Sequence, residues 1–171
     1  MVPEPSTDLI RQCQRGDLNA FKLLYRHYEK TIYSYCLRML NHRQDTEDAV
    51  QTIFLKLYTH ISGYRYRSRF TTYLFTVARN VCYDKLNQQK VTDEELYHAR
   101  HVRIDNPQPD RDCDISRAIA QLPQRTRECF ILFAVEGLPQ NQIAEILEIK
   151  TGTVKALIFQ ARQKLQIWLG E

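Results

Sequence analysis

Six cations and six aromatic rings are interleaved between Tyr64 and Lys90, and these residues have the clearest capacity for chemistry. The set comprises Arg65, Arg67, Arg69, Arg79, Lys85 and Lys90 with Tyr64, Tyr66, Phe70, Tyr73, Phe75 and Tyr83. Cations neutralise phosphates, and ring faces stack on unpaired bases at about 1–3 kcal/mol each. The mixture favours single-stranded nucleic acid as a ligand. The competing interpretation, in which Phe70 and about half of the other rings pack in a core and the arginines are solvated, stays open.

A second group of candidate contacts lies on one predicted helix near the C-terminus. Its members are Thr153, Lys155, Phe159, Gln160 and Arg162. Glutamine can pair with adenine, and lysine with guanine, in the major groove of duplex DNA. A short apolar helix from Ile143 to Leu147 precedes this helix, and a break from Glu148 to Thr151 separates the two. This succession is typical of a helix-turn-helix, with a plain amphipathic helix as the alternative.

The acidic turn from Asp45 to Asp48, followed by Gln51, is a third candidate. Such a turn could bind a metal ion, complement the dipole of a helix N-terminus, or dock a basic protein surface. No histidine or second carboxylate cluster accompanies it at ligand spacing. We therefore expect no metal and favour the docking interpretation.

No motif in the sequence supports catalysis. The five histidines form neither H-E-x-x-H nor H-x-x-E-H, and no G-x-S-x-G, P-loop or dinucleotide fingerprint is present. The five cysteines are widely spaced and include no C-x-x-C, which argues against a disulfide framework or a zinc site and fits a reducing cytosol. We expect a protein that is not an enzyme and needs no cofactor.

Composition and charge restrict the class further. The 171 residues are 43% hydrophobic and 26% charged, as in a folded soluble protein. No apolar run approaches the ~18 residues of a membrane-spanning helix, and the N-terminus lacks the features of a signal peptide. The net charge of +4 divides into +6 over residues 1–91, −3 over 92–112 and +1 over 113–171. A basic block is thus followed by an acidic segment and a nearly neutral block.

The elements that must position these residues all show helical periodicity, and no segment shows the period of two that is typical of a strand. We predict helices that open at Asp17 and Asp45, a loop from Ile61 to Ser68, and a long helix from Phe70 to Leu86. The acidic segment contains Asn106-Pro107-Gln108-Pro109-Asp110, which resists regular structure, with one loose helix from Asp93 to Arg103. The expected fold is all-α, with two small helical domains, 1–90 and 113–171, joined by a flexible linker over 91–112.

Three motifs in order resemble the extracytoplasmic-function (ECF) group of bacterial sigma-70 factors. The segment from Asp45 to Tyr58 is similar to the signature of sigma region 2, and the segment from Phe70 to Asn80 is similar to its promoter-melting helix. Leu122-Pro123 with Arg127, Gln142 to Leu147, and Gly152 to Lys155 resemble sigma region 4. The resemblance spans about Gly16 to Leu169. It implies a promoter-specificity subunit of RNA polymerase that binds core, recognises −35 and −10 elements and traps the melted −10 strand.

The resemblance also assigns residues to roles. Contacts to core polymerase, through the β′ clamp, fall on Asp45, Asp48, Gln51 and Phe54. Contacts to the −10 element fall on Tyr64, Arg65, Arg67, Arg69, Tyr73, Phe75, Arg79 and Asn80. Contacts to the −35 duplex fall on Thr153, Lys155, Ala156, Phe159, Gln160 and Arg162. Thr52 and Thr76 replace a common Glu and a common Arg of the family, and Glu148 stands where a turn glycine is usual. At Ala156, Leu157 and Gln160 the chain departs from the family pattern, which implies altered −35 specificity, weaker anchoring, or a protein partner at Leu157.

The partners implied are core polymerase (β′ clamp and β subunits), promoter DNA, and an anti-sigma factor wedged between the two domains. The implied location is the cytoplasm, either free or held at the inner membrane through the anti-sigma partner. Two alternatives remain: a free-standing helix-turn-helix regulator, and a protein-interaction module that sequesters a regulator. The first leaves the acidic turn and the basic-aromatic helix unexplained.

Overall fold

The computed structural model describes the backbone of residues 2–97 and 111–169, and within these ranges no strand is present. The helices are α1 (Thr7–Gln14), α2 (Leu18–Leu40), α3 (Arg43–His60), α4 (Phe70–Tyr97), α5 (Arg111–Gln121), α6 (Gln124–Phe130), α7 (Gln140–Leu147) and α8 (Thr151–Leu169). A 3₁₀ turn at Ile61–Gly63 follows α3, and a π-helical turn at Ile131–Val135 continues α6. The predicted all-α fold in two helical domains is confirmed.

The N-terminal unit, α1 to α4, forms around the apolar faces of its three long helices. Leu24 and Ile32 of α2, Ile53 of α3 and Leu74 of α4 are fully buried there. Asp17 caps α2 as expected, since its carboxylate accepts hydrogen bonds from the backbone N–H of Asn19 and Ala20. Each long helix contributes one apolar stripe to this core, so the opposite side of the helix faces solvent.

Three boundaries in this unit differ from the sequence prediction. Helix α3 begins at Arg43, two residues before Asp45, because the His42 ring caps it. Helix α1, capped by Ser6, was not predicted, since an eight-residue helix that buries only Ile10 and Cys13 gives a weak periodic signal. Helix α4 continues through Tyr97 and so enters the segment assigned to the linker. The rest of the loose helix predicted over 93–103, and the proline-containing run, lie outside the described residues.

The C-terminal unit, α5 to α8, is built around Cys129, Leu132, Ile143, Ile146 and Val154, all fully buried. Helices α7 and α8 form the predicted helix-turn-helix. The turn is made by Glu148, which adopts left-handed backbone angles (φ 54°, ψ 45°) at the C-cap of α7. Glycine takes this conformation without steric cost, whereas a residue with a Cβ is strained there. The chain therefore makes this turn with an unfavourable residue type.

The cysteines behave as small apolar side chains. Cys13, Cys36, Cys82 and Cys129 are buried free thiols, and Cys113 lies outside the described side chains. Cys36 of α2 and Cys82 of α4 meet with their sulfur atoms 3.7 Å apart. Burial raises the pKa of the Cys129 thiol to about 11, which keeps it protonated and unreactive at neutral pH.

Candidate nucleic-acid and polymerase-binding surfaces

The loop between α3 and α4 is held in one shape by contacts from α1. The Gln14 amide donates hydrogen bonds to the carbonyl oxygens of Ile61 (3.1 Å) and Tyr64 (2.7 Å). The Tyr64 hydroxyl donates to the carbonyl of Ser68 at 2.7 Å, which closes the loop on itself. The predicted cations Arg65, Arg67 and Arg69 are all exposed along this loop. A basic loop of fixed geometry is thus presented to solvent.

Tyr66, at the tip of this loop, was counted among the interleaved rings of the sequence but was not assigned to the −10 element, whereas Tyr64 was. Its ring is 44% exposed, whereas Tyr64 is 9% exposed and packs against Tyr66, Phe70 and Tyr73. Tyr66 has a backbone φ of 56°, which is rare for an aromatic residue and marks local strain. Its hydroxyl donates to Gln14 at 3.0 Å. The Tyr66 ring is therefore exposed on the loop, and the buried Tyr64 ring packs against it.

A cleft of about 490 Å³ lies between α3 and α4 and contains two of the predicted −10 residues. Its lining residues are Lys56, His60, Tyr73, Val77 and Asn80. Tyr73 is half-buried and Asn80 is exposed at the wall, so the cleft presents both a ring and an amide. Burial raises the pKa of Tyr73, so its hydroxyl is neutral and can donate a hydrogen bond. Lys56 and His60 come from α3, outside the motif of α4, and only the packing of the two helices brings them to this cleft.

Phe75 requires a correction. It was predicted to contact the −10 strand, but its ring is 0% exposed and packs edge-on against Tyr35 at 5.4 Å between centroids. Position 75 lies on the apolar stripe of α4 with Leu74, Ala78 and Cys82. Phe75 is therefore a core residue and is not part of the surface formed by the other predicted −10 residues.

Arg79 is placed differently from the other predicted −10 cations. Its side chain is 19% exposed, and its Nε lies 3.2 Å from Oε1 of Glu128 in α6. Its guanidinium also lies over the Tyr83 ring, 4.8 Å from the centroid. Arg79 is therefore charge-paired with the C-terminal unit, whereas Arg65, Arg67 and Arg69 face solvent.

The predicted polymerase-docking residues lie on α3, and three of the four are accessible. Asp48 and Gln51 are exposed, and the Asp48 carboxylate lies 3.6 Å from the Lys85 ammonium. Asp45 is half-buried, 3.0 Å from the His42 ring. Phe54 is a correction, since it is 5% exposed and packs on Tyr25 at 4.5 Å.

Two exposed apolar residues extend the α3 surface in place of Phe54. Leu55 is 64% exposed and Tyr58 is 41% exposed. At 3.6 residues per turn they lie on the same side of the helix as Asp48 and Gln51. We call Asp48, Gln51, Leu55 and Tyr58 the α3 stripe. Apolar side chains left in solvent beside polar ones are typical of a protein-binding surface.

The predicted −35 residues share the exposed side of α8. Thr153, Lys155, Ala156, Phe159, Gln160 and Arg162 are all exposed, with Phe159 at 61%. Arg162 lies at one flank, 5.5 Å from the centroid of the Phe133 ring. Leu157, expected to be exposed, is partly buried against the core, so this side of α8 offers it less to a partner.

An open groove of about 810 Å³ runs along the turn of the helix-turn-helix, beside the start of α8. Its charged lining includes Arg125 and Lys150 but also Glu145 and Glu148. The two carboxylates offset the positive charge of the two cations in this lining. The charges in this lining balance, as they nearly do over the whole C-terminal block.

Two further features of the described residues bear on function. No three His, Cys, Asp or Glu side chains converge there to hold a metal ion. No described helix is both long enough and apolar enough to cross a membrane.

Comparison with known proteins identifies the family. Residues 24–92 match Sigma-70 region 2, and residues 114–165 match Sigma-70 region 4. The chain is 31% identical to the ECF RNA polymerase sigma-E factor of Haemophilus influenzae, over 96% of each protein. It belongs to the ECF group of the sigma-70 family. It is therefore a sigma subunit of RNA polymerase, and since sigma factors are initiation factors, it is not an enzyme.

Other relatives agree with this assignment. The sigma factor is 28% identical to the RNA polymerase sigma-H factor of Pseudomonas aeruginosa, over 96% of this chain and 94% of the relative. Its fold is similar to that of CnrH in complex with the cytosolic domain of CnrY, with a TM-score of 0.75, 21% identity, and 95% and 96% of the two chains covered. It is equally similar to RpoE of Bartonella quintana in complex with the anti-sigma factor NepR, with a TM-score of 0.75, 21% identity, and 90% and 98% covered. At 21% identity, the similarity to these two structures establishes the fold alone.

Proposed function

We propose that this sigma factor divides its task among three surfaces. The α3 stripe docks on the β′ clamp of core polymerase, together with Asp45. The loop at Tyr66 and the α3–α4 cleft hold the unwound −10 strand. The exposed side of α8 reads the −35 duplex.

The main support for this proposal is the cleft between α3 and α4. Tyr73 and Asn80 lie in one concave site with the Lys56 ammonium and the His60 ring, and the exposed arginines of the loop stand next to it in the chain. A ring for stacking, an amide for reading a base edge and cations for phosphates are what a single strand requires. Each lies on a helix or on a loop pinned by Gln14, so the surface is formed before DNA arrives.

Replacing Asn80 tests the division of roles. With Asn80→Ala, core polymerase should bind the protein as before but give at least tenfold fewer promoter-dependent transcripts, because one base-edge contact is lost. Asn87→Ala is the matched control: the same change on an exposed residue of the same helix, outside the residues that line the cleft. Transcript mapping on genomic DNA supplies the promoters, and co-migration measures core binding. A parallel fall in core binding would show that the roles are assigned to the wrong surfaces.

Core polymerase that gives no promoter-dependent transcript with this protein would favour the alternatives. Tight and specific duplex binding by the chain without polymerase would indicate a free-standing helix-turn-helix regulator. Capture of a regulator without polymerase subunits would indicate a sequestering module. The α3 stripe speaks against the free-standing regulator, which binds DNA alone and has no use for a protein-binding surface on α3.

Regulation by an anti-sigma factor and a cytoplasmic location, with or without tethering to the inner membrane, complete the proposal. The match to folds determined in anti-sigma complexes supports the first part. Purification of the native protein with polymerase subunits alone would count against an anti-sigma partner.

A further inference from the structure

The helix that carries the candidate −10 residues begins without a cap from its own sequence. The Arg69 carbonyl accepts the first hydrogen bond of α4, from the backbone N–H of Tyr73 at 3.1 Å, which places Arg69 at the N-cap. Its guanidinium contains no acceptor for the free N–H groups of the first turn. Glu4, which precedes Phe70 by 66 residues, provides the acceptor instead. Its carboxylate accepts from the N–H of Phe70 (3.0 Å) and Thr71 (3.2 Å) and from the Thr71 hydroxyl.

Glu4 belongs to a short segment, residues 2–5, that we call the N-terminal strap. The Tyr28 hydroxyl of α2 donates to the Pro3 carbonyl at 2.7 Å, which holds the strap against α2. Pro3 and Pro5 restrict the backbone on either side of Glu4, and this lowers the entropy lost when the carboxylate is held at α4. The strap therefore joins α2 to the start of α4.

The first residue of α4, Phe70, connects this cap to the rings of the −10 site. Phe70 is 2% exposed, and its ring lies edge-on to the Tyr64 ring with 5.6 Å between centroids. Tyr64 in turn contacts the rings of Tyr66 (4.9 Å) and Tyr73 (5.2 Å). A shift of Phe70 is therefore transmitted to both candidate stacking rings, because close-packed side chains transmit strain.

The same part of the chain also holds the other end of the loop. Gln14 of α1 donates to the carbonyl oxygens of Ile61 and Tyr64. Glu4 and Gln14 thus fix the loop where it enters α4 and where it leaves α3. Both residues precede residues 24–92, the segment that matches Sigma-70 region 2. The match to region 2 therefore assigns neither residue a role.

The charge of Glu4 makes its role testable by sign. Arg65, Arg67 and Arg69 expose positive charge along the loop, and Glu4 places a negative charge at the end of the loop. A carboxylate near a DNA surface repels phosphates, so electrostatics alone predict tighter DNA binding when it is removed. A cap that orders the binding surface predicts the opposite, since a loosened loop must be ordered again when DNA binds.

We propose that Glu4 is a positioning residue of the −10 site: through its cap on α4 it holds the loop and the rings of Tyr66 and Tyr73 in the arrangement that receives the unwound strand. The inference rests on the proposed role of the loop and the α3–α4 cleft in −10 binding. Glu4 acts before DNA arrives and contacts no base. Affinity is gained because the arrangement that binds DNA is already populated before binding.

The test measures how the protein in complex with core polymerase binds a labelled single-stranded oligonucleotide. The oligonucleotide carries the −10 sequence of a promoter found by transcript mapping. Glu4→Ala should bind it about fivefold more weakly, and Glu4→Gln, which keeps one acceptor oxygen, about twofold more weakly. Asp8→Ala is the matched control and should bind as the wild type does, because it removes an exposed carboxylate whose hydrogen bond stays within α1, to Gln12. Equal or tighter binding by Glu4→Ala would overturn the proposal.

Amide hydrogen exchange distinguishes positioning from general stabilisation of the fold. In Glu4→Ala, the amides of the loop 64–69 and of the first turn of α4 should exchange faster than in the wild type. Amides in the middle of α2 and α3, such as those of Ile32 and Ile53, should keep the wild-type rate. If exchange rose at Ile32 and Ile53 to the same extent, Glu4 would only stabilise the fold and the proposal would fail.

Two further variants test the two sides of the cap. Tyr28→Phe removes the hydroxyl that holds the strap at Pro3 but keeps the buried ring, so DNA binding should weaken about twofold. Gln142→Ala removes the amide of α7 that donates to the Thr71 hydroxyl at 2.6 Å, and it should not weaken DNA binding. Equal or tighter binding by Tyr28→Phe, or a loss with Gln142→Ala as large as that with Glu4→Ala, would refute the proposal.

The wild-type protein separates this inference from the proposed function. If its complex with core binds the −10 strand better than core alone does, and Glu4→Ala binds equally well, the positioning role is refuted and the proposed function stands. If the wild-type complex binds no better than core alone, the proposed function fails, and the role of Glu4 fails with it.

Discussion

Regions 2 and 4 hold their candidate DNA contacts in different ways. In region 2, Tyr64 and Tyr73 pack in an aromatic cluster, and Arg79 is paired across the interface. In region 4, the −35 candidates stand exposed on α8, with Arg162 alone near a ring. The candidates of region 2 thus pack partly in the core of their own region. The candidates of region 4 lie on the surface of a core that does not include them. Substitution of the packed candidates of region 2, Tyr64 and Tyr73, should therefore change stability and binding together. Substitution of the exposed candidates on α8 should change binding alone.

The largest expected difference comes from Tyr64 and Phe159. Tyr64→Ala removes a buried ring and the hydroxyl that closes the loop, so we expect a loss of about 3 kcal/mol in the free energy of unfolding. Phe159→Ala removes a ring that is 61% exposed and should change stability by less than about 0.5 kcal/mol. Urea unfolding followed by circular dichroism measures both. Similar losses for the two variants would show that the contrast between the regions is wrong.

A pH dependence probes the interface that joins the regions. Burial raises the pKa of Glu136 to about 7, although Arg38 and the Ser34 hydroxyl of region 2 pull it down. In the unfolded chain its pKa is about 4.3, so the folded state binds the proton more tightly. The resulting stability is complete below about pH 4.3 and is lost as the pH rises through about 7.

We therefore expect the free energy of unfolding to fall by about 1–2 kcal/mol between about pH 5 and pH 8 through this group. Glu136→Gln should flatten that part of the profile. An unchanged slope in the variant would mean that other groups cause the dependence.

Tyr66 sharpens the comparison within region 2, because its ring is exposed while its backbone is strained. Tyr66→Asn replaces it with a residue that tolerates left-handed angles, so stability should stay equal or rise by up to about 1 kcal/mol. Binding to single-stranded DNA should weaken by about 1–2 kcal/mol, because a stacking ring is lost. Tyr66→Phe, which keeps the ring, should bind as the wild type does. Equal binding by Tyr66→Asn would remove this ring from the −10 site.

The smallest effect is expected at the turn of region 4. Glu148→Gly relieves the left-handed strain and should raise the free energy of unfolding by about 1 kcal/mol. It also removes a carboxylate from the groove beside α8, so affinity for duplex promoter DNA should rise a few fold. Glu145→Gln removes charge without changing the turn and should increase affinity alone. A gain in stability from Glu145→Gln would contradict this separation.

The sequence predicted well the features that depend on neighbouring residues. The Asp17 cap, the apolar stripes of the long helices and the break at Glu148 are local signals, and the structure has each of them. Phe54 and Phe75 were wrongly predicted to be surface contacts. A family motif identifies the helix that carries a site, but it does not show which side of that helix is buried. Leu55 and Tyr58 lie close to Phe54 on α3 but face solvent, whereas Phe54 faces the core.

Features that depend on the packing of distant segments were not predictable. Glu128 resembles an ordinary surface charge in its sequence context, because its partners Tyr35 and Tyr83 are 93 and 45 residues away along the chain. Lys56 and His60 join Tyr73 and Asn80 only when α3 packs on α4. Helix α1 is too short to stand out, yet it supplies the Gln14 amide that fixes the loop.

The separation of the two contacts on α4 has a kinetic consequence. The Gln142 amide donates to the Thr71 hydroxyl near the start of α4, and Glu128 pairs with Arg79 farther along the helix. Release of Gln142 from Thr71 leaves region 4 tethered at Glu128, where its local concentration stays high and rebinding is fast. Dissociation of the regions then resembles the peeling of a bivalent ligand, with one end free before the other. A binding partner that captures the loosened end would not need to break both contacts at once, so the lifetime of the closed form would depend on that partner's concentration.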